Sequence, residues 1–157
     1  MPGKARLIFV VLCLLGFIVY VNSRESYRDI SVDALIQEID DKVDFDKFEK
    51  YENAEIKQIW GINPNEYDSV AYYGHHSVME CDKILIMRLK DKSQSENILN
   101  IIEKKNSSDK DLFKNYAPEQ YKILSDSVIK QVDMYVFYIV DPDVKNIESQ
   151  IMKTITE

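Results

Sequence analysis

The chain has 157 residues, of which 45% are hydrophobic and 30% charged, and its formal net charge is −7. This length suits one domain with an N-terminal extension. All acidic residues follow Ser23, and an acidic body is a poor match for phosphate backbones, so we expect no nucleic-acid partner. Two cysteines cannot build a disulfide framework, so stability has to come from packing.

The N-terminal segment is predicted to target the chain to a membrane. Lys4 and Arg6 precede the run from Leu7 to Val21, which has no charged or strongly polar side chain. As a helix this run covers about 22 Å, whereas a bilayer core is roughly 30 Å thick. A transmembrane anchor and a signal-peptide h-region cleaved after Ser23 therefore both remain open.

The placement of charge predicts the topology. Basic residues beside an apolar segment stay in the cytoplasm, so residues 1–6 are expected inside. Residues 22–30 would then be a tether, and residues 31–157 an extracytoplasmic domain. The predicted location is the cytoplasmic membrane with the domain outside, or secretion if the segment is cleaved.

The first element of the domain is predicted to be an amphipathic helix from Ser31 to about Val43. Ser31 is a typical N-cap residue, and apolar residues follow it at helical spacing. The acidic cluster around Asp40, Asp44 and Asp46 lacks the glycine and glutamate spacing of an EF-hand loop, so we interpret it as a solvated surface.

The middle of the chain is predicted to form strands. Glu55 to Ile62 fits a short strand or a helical turn ending at Gly61, and Asp68 to Tyr73 alternates as a strand. Gly74 to Asp82 is interpreted as the loop that leads into a buried strand, Ile84 to Leu89.

Helices are predicted to follow that strand. Ser93 to Glu96 has the pattern of a capping box, and the helix that it opens is expected to end in a polar break at Asn106 to Asp111. Pro118 favours a helix start, because proline is tolerated at the first helical position. The restarted helix should extend through Leu124.

The C-terminal stretch predicts a hairpin and a helix. Ser127 to Val132 and Tyr135 to Val140 are strand patterns separated only by Asp133 and Met134. The unbroken apolar second strand is typical of burial on both faces, so we place it at the centre of the sheet. Val144 to Ile155 then has helical spacing. The predicted fold is α+β, with an antiparallel or mixed sheet of four to five strands and helices packed on one face.

Three segments of the chain resemble a known family. They are Gly61 to Tyr67, Asn115 to Tyr121, and the hairpin strands from Ser127-Val128-Ile129 to Tyr135-Val136-Phe137. They resemble a domain-of-unknown-function family of small, membrane-tethered extracytoplasmic proteins, often lipoproteins, of clostridia and related bacteria. The resemblance covers roughly residues 31–155 and implies no activity.

One candidate metal site lies at His75, His76, Glu80 and Cys81, next to Asp82. Adjacent residues of an extended segment point apart, so the two histidines are poorly placed to bind one ion. We expect an exposed loop with incidental histidines, no metal and no cofactor. Cys81 is interpreted as a small packing residue at a strand entrance.

Catalysis is not expected. The two adjacent histidines are the only imidazoles in the sequence, and no nucleophile-elbow pattern is present. Six tyrosines in sheet and helix patterns favour core packing over a carbohydrate or peptide surface; they are Tyr72, Tyr73, Tyr116, Tyr121, Tyr135 and Tyr138.

A partner surface is considered at the Pro118 corner. In one interpretation Pro118 sets the helix start, while Tyr116 and Tyr121 pack inward. In the other, Tyr116, Glu119 and Gln120 face a partner. The predicted function is a membrane-tethered extracytoplasmic accessory or interaction module without catalysis, acting through an unknown envelope protein or wall component as its partner. The alternative is an extracytoplasmic small-ligand or metal-binding domain.

Overall fold

Among the described residues, five antiparallel strands form one sheet, in the order Phe48–Lys50 (β1), Ser69–His75 (β2), Lys83–Arg88 (β3), Tyr135–Val140 (β5) and Val128–Val132 (β4). The computed structural model describes residues 2–22 and 27–156. Its elements in chain order are α1 (Pro2–Asn22), α2 (Val32–Glu38), β1 (Phe48–Lys50), α3 (Asn53–Trp60), β2 (Ser69–His75), β3 (Lys83–Arg88), α4 (Ser95–Phe113), α5 (Pro118–Asp126), β4 (Val128–Val132), β5 (Tyr135–Val140) and α6 (Val144–Thr156). The α+β class and the five-stranded antiparallel sheet confirm the prediction.

Helix α1 contains the apolar N-terminal run, and side chains along it such as Ile8, Phe9 and Phe17 are exposed. Within the parts of the chain that are described, no helix combines the length and the apolarity needed to cross a membrane. The cleavage position considered after Ser23 lies outside the described residues.

The helices cover both faces of the sheet, so the prediction of helices on one face is wrong. Helices α2 and α6 pack with Tyr135, Phe137 and Ile139. Helices α3, α4 and α5 pack with alternate residues of the same strand, among them Val136 and Tyr138. Successive side chains of a strand point to opposite faces, and every residue of β5 is buried. A strand that is apolar on both sides needs cover on both sides.

The central position belongs to β3, with β5 beside it. Residues Lys83 to Arg88 pair with β2 on one side and with β5 on the other. The prediction that Tyr135–Val140 is the central strand is therefore wrong by one position. Burial on both faces is shared by the two strands, so burial alone does not separate them.

Helix α4 is longer than expected and begins with a different cap. The capping box joins Asp91 and Gln94, and a 3-10 turn at Lys92–Gln94 precedes the helix, so the box predicted at Ser93 to Glu96 is wrong. The predicted polar break is also wrong, because α4 continues to Phe113. Two polar residues of this segment, Asn106 and Asp109, are buried and paired. Asn106 accepts a hydrogen bond from the Tyr138 hydroxyl at 3.1 Å.

Several predicted boundaries are confirmed. Ser31 caps α2, accepting from the Ala34 N–H at 3.2 Å, although α2 ends at Glu38 rather than near Val43. Pro118 is the first residue of α5. Asp133 begins the two-residue turn between β4 and β5 with φ 52°, a left-handed conformation that aspartate tolerates better than most residues.

Candidate functional site

The loop between β2 and β3 faces the turn between α4 and α5 across a surface groove. The groove has a volume of about 520 Å³. Its lining residues are Met79, Glu80, Tyr116, Ala117, Pro118, Glu119 and Gln120. The structure therefore brings together the two segments that sequence reasoning treated as separate candidate sites.

Gln120 fastens the loop to α5. Its side-chain oxygen accepts a hydrogen bond from the Cys81 N–H at 2.9 Å, and its amide nitrogen donates to Glu80. The Cys81 thiol donates in turn to the Gln120 carbonyl at 3.4 Å. Gln120 therefore holds the loop and also lines the groove, and its role in facing a partner stays a prediction.

Tyr116 and Glu119 do face outward. Tyr116 is 56% exposed, although its ring lies 5.4 Å from that of Phe113, and Met79 across the groove is 60% exposed. The interpretation that Tyr116 packs inward is wrong. Of the other five tyrosines, three are buried and two are half-buried, so the expectation of core packing holds for them.

The two histidines have different environments. His75 lies in β2, is half-buried, and accepts a hydrogen bond from the Ser77 N–H at its Nδ1 atom at 2.9 Å. Its ring meets that of Phe48 edge-on at 6.4 Å. His76 is exposed, as expected, whereas the interpretation of His75 as an incidental loop residue is wrong. Across the described residues, no three His, Cys, Asp or Glu side chains are grouped to hold a metal ion.

Cys81 is a core residue, as predicted. It is 1% exposed and packs with the α3, α4 and α5 side of the sheet. Burial raises the pKa of its thiol to about 12, and the neighbouring carboxylate of Asp82 acts in the same direction. At neutral pH the thiol is protonated, which makes it a poor nucleophile and a poor metal ligand.

Partly buried ion pairs fix the end of the loop on both sides of the sheet. Asp82 and Asp141 both contact Lys47 Nζ, at 3.2 and 2.7 Å. The next residue, Lys83, points to the other side and contacts Asp109 at 2.6 Å. Sequence reasoning missed these pairs. Charged residues next to apolar strands were the available signal, since such residues are rarely buried unless they are paired.

The fold and the groove define an α+β protein with an antiparallel five-stranded sheet and an exposed groove at the loop end of β2 and β3. Residues 41–141, more than half of the chain, match the family described as domain of unknown function, DUF4358. The chain belongs to this family. The matched region contains both walls of the groove and ends before α6. No curated protein and no solved structure is significantly similar to the chain.

Proposed function

We propose that this protein is a non-catalytic accessory module that works outside the cytoplasmic membrane and binds a protein of the cell envelope through the groove. The groove supports this proposal because it presents apolar side chains to solvent next to carboxylates. The exposure of Tyr116 in the groove is the observation that carries the proposal. Tyrosine combines a large apolar area with a polar end, and it is enriched where proteins meet.

The location outside the membrane is proposed from the N-terminal sequence. Lys4 and Arg6 precede the apolar run from Leu7 to Val21, and this order of charge and apolar residues favours export of the downstream chain. The exposed apolar side chains of α1 support a non-aqueous environment for it. A run of this length suits the h-region of a signal peptide as well as a membrane anchor.

A reporter fusion tests the location. Alkaline phosphatase, which is active only after export, is fused after Glu157, and a second fusion carries a cytoplasmic fluorescent protein. We expect phosphatase activity from the first fusion and weak fluorescence from the second. The reverse result would place the domain in the cytoplasm and overturn this part of the proposal.

Site-directed photocrosslinking in growing cells tests the binding role. A photoreactive amino acid replaces Tyr116 in the groove or, as a control, Gln58, which is exposed on α3. We expect a discrete crosslinked protein from position 116 and none from position 58. Equal crosslinking from both positions, or none from position 116, would contradict a role for the groove.

The alternative of a small-ligand or metal-binding domain has less support. The four residues first considered as ligands do not converge. Cys81 is buried in the core, His75 is held by Ser77, and His76 is exposed. The remaining residue, Glu80, is engaged by Gln120.

A further inference from the structure

This inference rests on the proposed function and specifies the chemistry of the partner. We propose that the groove binds a peptide segment of the partner protein in which a lysine or arginine lies beside an apolar side chain. Two features of the groove carry the proposal: the sign of its charges and the apolar side chains that line it with them.

The charged side chains that line the groove are Glu80 and Glu119, and both are acidic. Among the described residues, no lysine or arginine forms an ion pair with either of them. Glu80 accepts a hydrogen bond from the neutral amide of Gln120, which leaves its charge uncompensated. In contrast, Asp126 on the same helix as Glu119 is paired with Lys122 at 3.0 Å.

Apolar side chains line the groove together with these carboxylates. Met79, Tyr116 and Pro118 provide a flexible thioether, an aromatic ring and a rigid ring. Lysine and arginine combine an apolar stem with a charged end, so one side chain can pack on the apolar surface while its cation reaches a carboxylate. Phosphates and anionic lipid headgroups have the wrong charge, and a second copy of this chain would itself carry a net charge of −7.

Glu119 could instead be a purely structural residue. It lies in the first turn of α5, where a negative charge is stabilised by the helix dipole. Under that account its removal changes stability and not binding. The experiment therefore has to measure both quantities.

The test is a selection from a random heptapeptide display library on the purified full-length protein. Three proteins are compared. They are the wild type, the groove variant Glu80→Gln/Glu119→Gln, and the control variant Glu96→Gln/Glu103→Gln, which removes the same charge from exposed positions of α4. Gln at position 80 keeps an oxygen that can accept from Gln120. Thermal unfolding of all three is recorded.

We expect peptides rich in lysine or arginine beside apolar residues from the wild type and the control, and loss of that enrichment with the groove variant. Selected peptides should bind about fivefold more weakly for each groove carboxylate removed. Recovered peptides without cationic residues, unchanged binding to the groove variant, or no peptides at all would overturn the inference. If crosslinking from position 116 persists in those cases, the proposed function stands and only the partner chemistry is wrong.

Discussion

Lys83 Nζ lies 2.6 Å from Asp109 Oδ2, and both side chains are nearly buried. This contact joins the first residue of the central strand to the C-terminal part of α4. Removing Asp109 leaves the charge of Lys83 largely buried without compensation, and it also ends the 3.4 Å contact between Lys105 and Asp109. We therefore expect Asp109→Ala to lower the free energy of unfolding by about 3 kcal/mol, measured by urea denaturation.

The exposed pair Lys122–Asp126 provides the matched control. Both side chains are solvated, so Asp126→Ala should change the free energy of unfolding by less than about 0.5 kcal/mol. Similar losses of unfolding free energy for the two variants would show that burial does not increase the contribution of the Lys83–Asp109 contact to stability.

A second prediction concerns alkaline pH. Burial lowers the pKa of Lys47, but its contacts with Asp141 and Asp82 outweigh burial and raise the pKa above the ordinary value of 10.5. The folded state then binds this proton more tightly than the unfolded state. The stabilisation is complete below pH 10.5 and is lost as the pH rises through the folded-state pKa.

The stability difference between the wild type and Lys47→Met should accordingly be greatest near neutral pH and shrink above about pH 10.5. Urea denaturation between pH 7 and 11 measures it. Lys42→Met is the control, because Lys42 pairs with Asp41 at the surface. A stability difference between the wild type and Lys47→Met that grows with pH would contradict a raised pKa for Lys47.

Cys81 should resist alkylation while the protein is folded. Its raised pKa, about 12, and its burial both suppress the thiolate that reacts with iodoacetamide. In a Cys13→Ser background, labelling at pH 8 should be slow and become fast in urea. Gln120→Ala should speed labelling under native conditions, because it removes the hydrogen bond that fastens the loop. Fast labelling of the folded parent protein would show that the loop opens readily.

His75 and His76 should differ in their effect on stability. His75→Ala removes the acceptor for the Ser77 N–H and the contact with Phe48, so we expect a loss of about 1 kcal/mol. His76→Ala should stay within about 0.5 kcal/mol, as exposed substitutions usually do. Thermal unfolding with and without a chelator measures both, and a loss that depends on chelation would instead indicate a metal at this position.

Much of the fold can be read from local patterns. The apolar run Tyr135–Val140 predicts a strand that is buried on both faces, and Pro118 predicts the start of a helix. The run of polar residues at positions 106–111 misleads a prediction from sequence, because such a run usually indicates the end of a helix. Here Asn106 and Asp109 instead find partners in the distant residues Tyr138 and Lys83. Pairing of this kind depends on tertiary neighbours, which local periodicity does not contain.

The candidate site is predictable only in its parts. Sequence reasoning selected Glu80 as a possible metal ligand and Tyr116 as a possible partner contact. It did not connect the two residues, because they are far apart along the chain. The hydrogen bonds of Gln120 bring their segments together. The direction of each side chain could be inferred neither from residue type nor from position, since Gln120 is half-buried and bonded to the loop while its neighbour Glu119 is exposed.

The order of strands bears on how the chain folds. Hairpins β2–β3 and β4–β5 each join neighbours in sequence, whereas the β3–β5 pairing closes a long loop that contains α4 and α5. Closing a long loop costs chain entropy, so this pairing should form after the two hairpins. One wall of the groove belongs to that loop, and the other belongs to the first hairpin. The groove thus exists only once the hairpins have docked, and a partner bound there would stabilise the whole domain against unfolding.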